Sequence, residues 1–401
     1  MSGAALVRTP VFRWLGVVAV TLGIFSIVTV EILPIGLLTP IGQDFGLSPG
    51  RTGWLMTAPG LVAAVAAPVV TVTTGRVDRR LMLGVLMVVL AGADVLAAVA
   101  DVYWLELVSR VLVGLVIGGF WSIGAGLAGR LVPEHQVGRA TAVIFSAVPL
   151  GSVLGVPAGT WLGELGGWRL PFVVLGGLSV LVLMALVVFV PPLPAEQVTR
   201  LAVLWEVLRL RQTQVGLVAT CLIVVAHFGT YTYVTPFLRD VTGVRPELMS
   251  TLLLVYGVAG LVGNAVAGLT VDRWLRLTFG GAACMLALAT LLLPLAGRTT
   301  LGAAGLLVVW GLAYGAVPVS SMSWFAAAAP QAREAATVLF TSSFQATLSA
   351  GALVGGLLLD RTTVSVVMVA GGLTALLMVG VLALESVTQN TGGGRDVASR
   401  L

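Results

Sequence analysis

Apolar runs of about twenty residues follow one another along the whole chain, separated by short polar clusters rich in arginine. The clusters are TGRVDRR, RLVPEHQVGR, PPLPAEQVTR, RDVTGVRPE and DRWLR. Each run is long enough to cross a bilayer as a helix, which takes about 20 apolar residues. Twelve such spans are expected, over 14–38, 52–74, 81–100, 103–129, 138–162, 168–190, 213–237, 248–271, 277–296, 300–326, 334–358 and 363–385. Only 10% of the 401 residues are charged, against about 25% in a soluble domain. The fold class is therefore an all-α membrane protein, and a soluble enzyme is excluded. Arg8 and Arg13 precede a first run too long for the core of a signal peptide, so a retained first span is expected.

All 22 basic residues are arginine. With the N-terminus inside, fifteen of them fall in cytoplasmic segments and six in outer loops, with Arg110 inside span 4. Positive residues favour the cytoplasmic side, so both termini are expected in the cytoplasm. The abundance of Arg, Ala, Gly and Val fits a G+C-rich bacterial genome, so the expected location is a bacterial cytoplasmic membrane. This distribution accounts for the net charge of +5 without a nucleic-acid partner. The longest connector, 191–212, divides six spans from six: an N-terminal bundle over 1–190, a linker, and a C-terminal bundle over 213–401. Within the linker, WEVLRLRQ reads either as an amphipathic surface helix or as a solvated connection.

The two halves echo each other. A shift of 196 places Pro40 on Pro236 and Asp44 on Asp240, and a slip of two matches the acidic–arginine turn at Asp78, Arg79 and Arg80 with Asp272 and Arg273. Gly114 and Gly118 fall near Gly311 and Gly315. Two repeated bundles with a site between them at mid-depth is a transporter architecture.

Three motifs resemble the major facilitator superfamily. Arg110 with Gly114 and Gly118 resembles its R-x-x-x-G pattern in span 4. GSVLGVPAG in span 5, with Gly151, Gly155, Pro157 and Gly159, resembles the motif of proton-coupled exporters, and Gly167-Trp168-Arg169 with Phe172 fits the sequence that trails it. The turn after span 2 departs from the general form: Thr74 stands four residues before Asp78, and Arg79-Arg80 follow directly. That departure, with VEILPIGLLTPI, FWSIGAGLA and AHFGTYTYVTPF, resembles sugar efflux transporters of the arabinose-exporter type and their nucleoside-exporting relatives, within the twelve-span drug–proton antiporter family. The resemblance implies two pseudo-symmetric six-helix bundles and proton-coupled export of a small solute (a sugar, nucleoside or antibiotic) by a monomer without cofactor or metal. Import by a facilitator or a proton symporter on the same fold stays open. Small residues at every fourth position let membrane helices approach closely, so the glycine stripe of span 5 is expected to contact the other bundle, and Asp78, Arg79 and Arg80 to latch the cytoplasmic ends.

Ionisable groups inside the membrane are costly and usually functional. Glu31 in span 1, Asp94 in span 3 and Arg110 in span 4 lie at similar depth, so Arg110 is expected to neutralise one of the carboxylates, with Glu106 a more exposed competitor one turn away. Glu31 is the first candidate for proton coupling, with Arg110 and, less strongly, Asp94. His227 stands 196 residues after Glu31 and takes its place in the second half. It is a candidate for either proton transfer or solute contact. Polar and aromatic candidates for solute contact are Trp121, Ser122, Tyr231, Asn264, Ser321, Trp324, Ser343 and Gln345, together with Glu31 and His227. Tyr231 and Tyr233 point to different faces of span 7, so at most one of them serves. Two histidines, His135 and His227, give no metal-ligand spacing.

Overall fold

In the computed structural model residues 10–74, 77–121, 127–194 and 201–398 are described, and they are almost entirely helical. The first half contains α1 (Pro10–Asp44), a one-turn α2 (Pro49–Thr52), α3 (Trp54–Thr73), α4 (Arg79–Val99), α5 (Tyr103–Trp121), a one-turn α6 (Ala128–Leu131), α7 (Val137–Gly166) and α8 (Leu170–Phe189). The second contains α9 (Leu201–Arg209), α10 (Arg211–Tyr231), α11 (Val234–Asp240), α12 (Pro246–Ala296), α13 (Thr300–Ala328), α14 (Arg333–Leu359) and α15 (Val364–Ala398).

Ten segments are long and apolar enough to cross a membrane among the described residues. One of them, α12, is 51 residues long and leaves helical geometry at Trp274 (φ −136°, ψ 46°), so it holds two spans joined at the DRW turn. The 30-residue α7 supplies another. Twelve spans result, in the expected order. The turn between the eighth and ninth spans is tighter than the sequence suggests, because the helix resumes directly after Trp274. Span 7 is broken instead. It stops at Tyr231 and restarts at Val234. Pro236 has no N–H for the carbonyl of Thr232, and its ring crowds that carbonyl. Pro40, its counterpart in the repeat, stays inside an unbroken α1.

The chain forms two compact units, Met1–Leu37 with Ala58–Thr199, and Leu38–Thr57 with Arg200–Leu401. The turn linking α1 to α3 therefore packs into the second unit, where Gly50 N–H donates to Asp360 Oδ1 at 3.1 Å. The linker forms a helix, α9, whose Val207 is buried with Phe325, Ala329, Ala335 and Ala336 while Trp205 stays exposed. It is a docked amphipathic helix rather than a solvated connection.

Small residues set the helix pairs of each unit. In the first, a Cβ on Gly151 would stand 3.0 Å from Val28, and one on Gly155 would stand 3.2 Å from Ile32 and 3.3 Å from Thr29. The span 5 stripe thus seats α7 on α1 of its own unit, which corrects the expectation that it contacts the other bundle. Two helices can approach this closely only where no side chain intervenes. In the second unit, Gly351 and Gly355 seat α14 against Val225 and Gly229 of α10. Gly114 and Gly118 seat α5 on α3, and Gly311 and Gly315 seat α13 on α12 in the same way. The repeat is therefore one of helix contacts as well as helix order: Gly155 and Gly159 map onto Gly351 and Gly355 under the shift of 196.

Candidate functional site

In the first unit, ionisable groups from α4 and α5 converge. Arg110 and Glu106 lie one turn apart on α5, with Nε 3.3 Å from Oε1 and both side chains 0% exposed. Glu106 was expected to be the more exposed partner. It is instead fully buried, and Arg169, held by the carbonyl of Ala100, also acts on its carboxylate. The Arg110 guanidinium donates to the Val30 carbonyl at 3.1 Å and to Ser109 Oγ at 3.0 Å, and lies 5.0 Å from the centroid of the Phe172 ring. The Val30 bond places Arg110 against the backbone residue next to Glu31, which is 8% exposed.

Asp94 is also fully buried. It accepts a hydrogen bond from Ser179 on α8 at 3.3 Å, packs where Gly176 leaves space, and feels the charges of both Arg110 and Glu106. Arg110 therefore acts on two fully buried carboxylates, one of which, Glu106, also feels Arg169, and a third carboxylate, Glu31, lies on α1 beside the Val30 carbonyl.

In the second unit, α10, α12 and α13 build an aromatic cluster around His227. Trp310 Nε1 donates to His227 Nδ1 at 3.1 Å. An indole nitrogen can only donate, so Nδ1 accepts and the neutral ring carries its proton on Nε2. His227 stacks on Tyr314 with ring centroids 3.3 Å apart, and on Tyr231 at 5.1 Å. Tyr231 stacks on Tyr256 at 4.4 Å, and Trp310 presents its edge to both tyrosines. Tyr231 thus joins His227, whereas Tyr233 turns away and donates to the carbonyl of Ala352 at 2.7 Å. The sequence reading missed Tyr256, Trp310 and Tyr314. The signal for Trp310 and Tyr314 was their spacing of four, matching that of His227 and Tyr231, which puts two rings on one helix face; Tyr256 has no such pair.

Other expected residues lie apart from this cluster. Trp324 is held near the start of α10, where its indole N–H donates to Gln212 O at 2.9 Å and its ring fills the space above Gly216. Arg276 lies over the same ring, so Trp324 packs a helix end. Ser343 donates to the Phe340 carbonyl of its own helix at 2.9 Å. Gln345 is buried, Asn264 is half-buried, and Ser321 is fully buried. Ser122 and the side chain of Trp121 lie outside the described residues.

Asp78 caps α4 by accepting from the backbone N–H groups of Arg80 and Leu81. The Arg79 side chain donates to the Thr74 carbonyl and Arg80 to the Val187 carbonyl, both inside the first unit. Asp272 and Arg273 are exposed at the Trp274 turn.

The family model of the Major Facilitator Superfamily matches residues 19–352. The chain belongs to that superfamily. It is a multi-pass membrane transporter rather than an enzyme. It is 32% identical over 380 residues to the purine ribonucleoside efflux pump NepI of Escherichia coli O1:K1 / APEC, spanning 94% of this chain and 96% of that protein. The NepI of strain K12 is 31% identical over the same lengths. Among solved structures, a bacterial homologue of the human lysosomal transporter Spinster, inward-facing and occupied, superposes with a TM-score of 0.76 at 16% identity, over 95% of this chain and 98% of that one. The human organic anion transporter MFSD10 (TETRAN) superposes with a TM-score of 0.69 at 18% identity, over 94% and 100%. These two likenesses carry the superfamily fold alone.

Proposed function

We propose that this superfamily member exports a nucleoside-like solute, a flat base joined to a sugar, in exchange for protons across a bacterial cytoplasmic membrane. The observation that carries the reading is the His227 cluster. Stacked tyrosines edged by a tryptophan suit a planar base, because every base offers an aromatic face. His227, with Nδ1 occupied by Trp310, has Nε2–H left as a donor for a ring nitrogen or carbonyl of that base. The relatedness to purine ribonucleoside efflux pumps over nearly the whole chain supports the same solute class. The arginine distribution supports both termini being cytoplasmic.

Proton coupling is assigned to the first unit. Arg110 and Arg169 both act on the buried carboxylates of this unit, and taking up a proton is one way a buried carboxylate sheds its charge. Glu31, beside the Val30–Arg110 bond, is the group we assign to take that proton, with Asp94 and Glu106 sharing the charge balance. Carriers of this fold operate by rocking one repeat against the other, and a proton taken from outside would favour return of the empty carrier.

The test is counterflow of a purine ribonucleoside in proteoliposomes under an imposed pH gradient. Wild type drives solute against its gradient in exchange for protons, and Glu31→Gln exchanges solute without uphill movement. Uphill transport by Glu31→Gln removes the coupling assignment. Solute and protons moving in the same direction would make the protein an importer instead.

A further inference from the structure

Serine and threonine inside a helix ordinarily bond the carbonyl three or four residues back. Several do so in the second unit: Thr230 to Ala226 and His227, Thr290 to Leu286, and Thr347 to Ser343. Thr220 on α10 and Ser321 on α13 do not. Both are 0% exposed, and neither hydroxyl has a hydrogen-bond partner among the described residues.

Their positions coincide. Thr220 stands seven residues before His227 and four after Gly216, on one face of α10. Ser321 stands seven residues after Tyr314 and three before Trp324, on one face of α13. The two faces meet at both ends, where His227 contacts Trp310 and Tyr314 and where Gly216 receives the Trp324 ring. Thr220 and Ser321 therefore share one level of the α10–α13 seam, about two turns or ~10 Å from His227. The seam is closed beyond them by Trp324.

We propose that Thr220 and Ser321 form a hydroxyl-recognition subsite that binds the ribose diol of a nucleoside whose base stacks at the His227 cluster. This rests on the nucleoside reading above. Each side-chain hydroxyl offers one donor and two acceptor positions, which matches a vicinal diol whose two hydroxyls each donate and accept. A group left unpaired in a buried seam rewards a solute that pairs it and penalises one that lacks the matching hydroxyl.

The test compares adenosine with 2′,3′-dideoxyadenosine by equilibrium binding to the full-length protein in lipid nanodiscs. Wild type should prefer adenosine by about tenfold or more. Thr220→Val and Ser321→Ala should each erode that preference by weakening adenosine, leaving the dideoxy compound unchanged. Equal affinity of wild type for the two compounds overturns the subsite and leaves the base-stacking reading intact. Binding of neither compound overturns both. A second readout guards against misfolding: removing an unpaired buried hydroxyl should raise the melting temperature of the solute-free protein. A lowered melting temperature in both variants would mean that the hydroxyls are already bonded, and would overturn the subsite as well.

Discussion

Replacing Arg110 by methionine tests whether the buried charges of the first unit act as one system. The substitution keeps the length and most of the volume of the side chain while deleting the guanidinium. With it go the 3.3 Å pairing with Glu106, the hydrogen bonds to Val30 O and Ser109 Oγ, the contact with the Phe172 ring and the charge acting on Asp94. Glu106 is 0% exposed, so its charge gains no water in exchange. Removing one partner of a buried ion pair typically costs ~3–5 kcal/mol, most of it the cost of the stranded charge. Adding Glu106→Gln to Arg110→Met removes that charge. The double variant should recover at least ~2 kcal/mol, because replacing both members of such a pair by neutral groups is often close to neutral. Asp94 remains in both variants and limits the recovery. Equilibrium unfolding of wild type, both singles and the double in mixed micelles gives the coupling energy directly. Additive single effects, or an Arg110→Met protein within ~1 kcal/mol of wild type, would refute the coupled-cluster account.

The remaining expectations concern packing, the aromatic cluster and the cap. Gly355→Ala should cost more stability than Gly151→Ala, by ~1–2 kcal/mol in thermal unfolding. The new methyl group meets the Gly229 backbone carbonyl head-on in the first case, and in the second the Val28 side chain at 3.0 Å and the Phe25 carbonyl at 3.3 Å; equal losses would contradict this. Trp310→Phe keeps a ring but strands His227 Nδ1, so it should cost ~1–3 kcal/mol and weaken nucleoside binding, while His227→Gln in the Trp310→Phe background should add little further loss. Asp78→Ala should lower stability by ~1 kcal/mol through loss of the α4 cap, and Asp78→Asn should restore most of it. If Asn restores stability but not transport, the carboxylate has a further role beyond capping.

Apolar periodicity and arginine punctuation made the twelve spans legible, because both are properties of single segments. The DRW turn and the Pro236 break were harder to place. A turn can shrink to the one non-helical residue Trp274, and a proline can either sit inside a helix, as Pro40 does, or end it, as Pro236 does. Which of these occurs depends on the helices packed around it. The same limit governed the glycine stripes. Their spacing announces a close helix contact but not the partner, and for the α7 and α14 stripes that partner is α1 and α10 respectively. Charged residues inside the membrane identified themselves by cost, so Glu31, Asp94, Arg110 and His227 could be singled out from the chain. Glu106 was underrated because it lies only three residues from the start of α5, where exposure is the ordinary state. The charge that meets it there comes from Arg169, more than sixty positions away in the chain. The aromatic cluster shows the same asymmetry. Tyr256, Trp310 and Tyr314 are ordinary aromatic residues in apolar runs until the fold packs them around His227. What distinguishes them is that each ring meets another from a different helix, an arrangement that one sequence states only through its i, i+4 pairs.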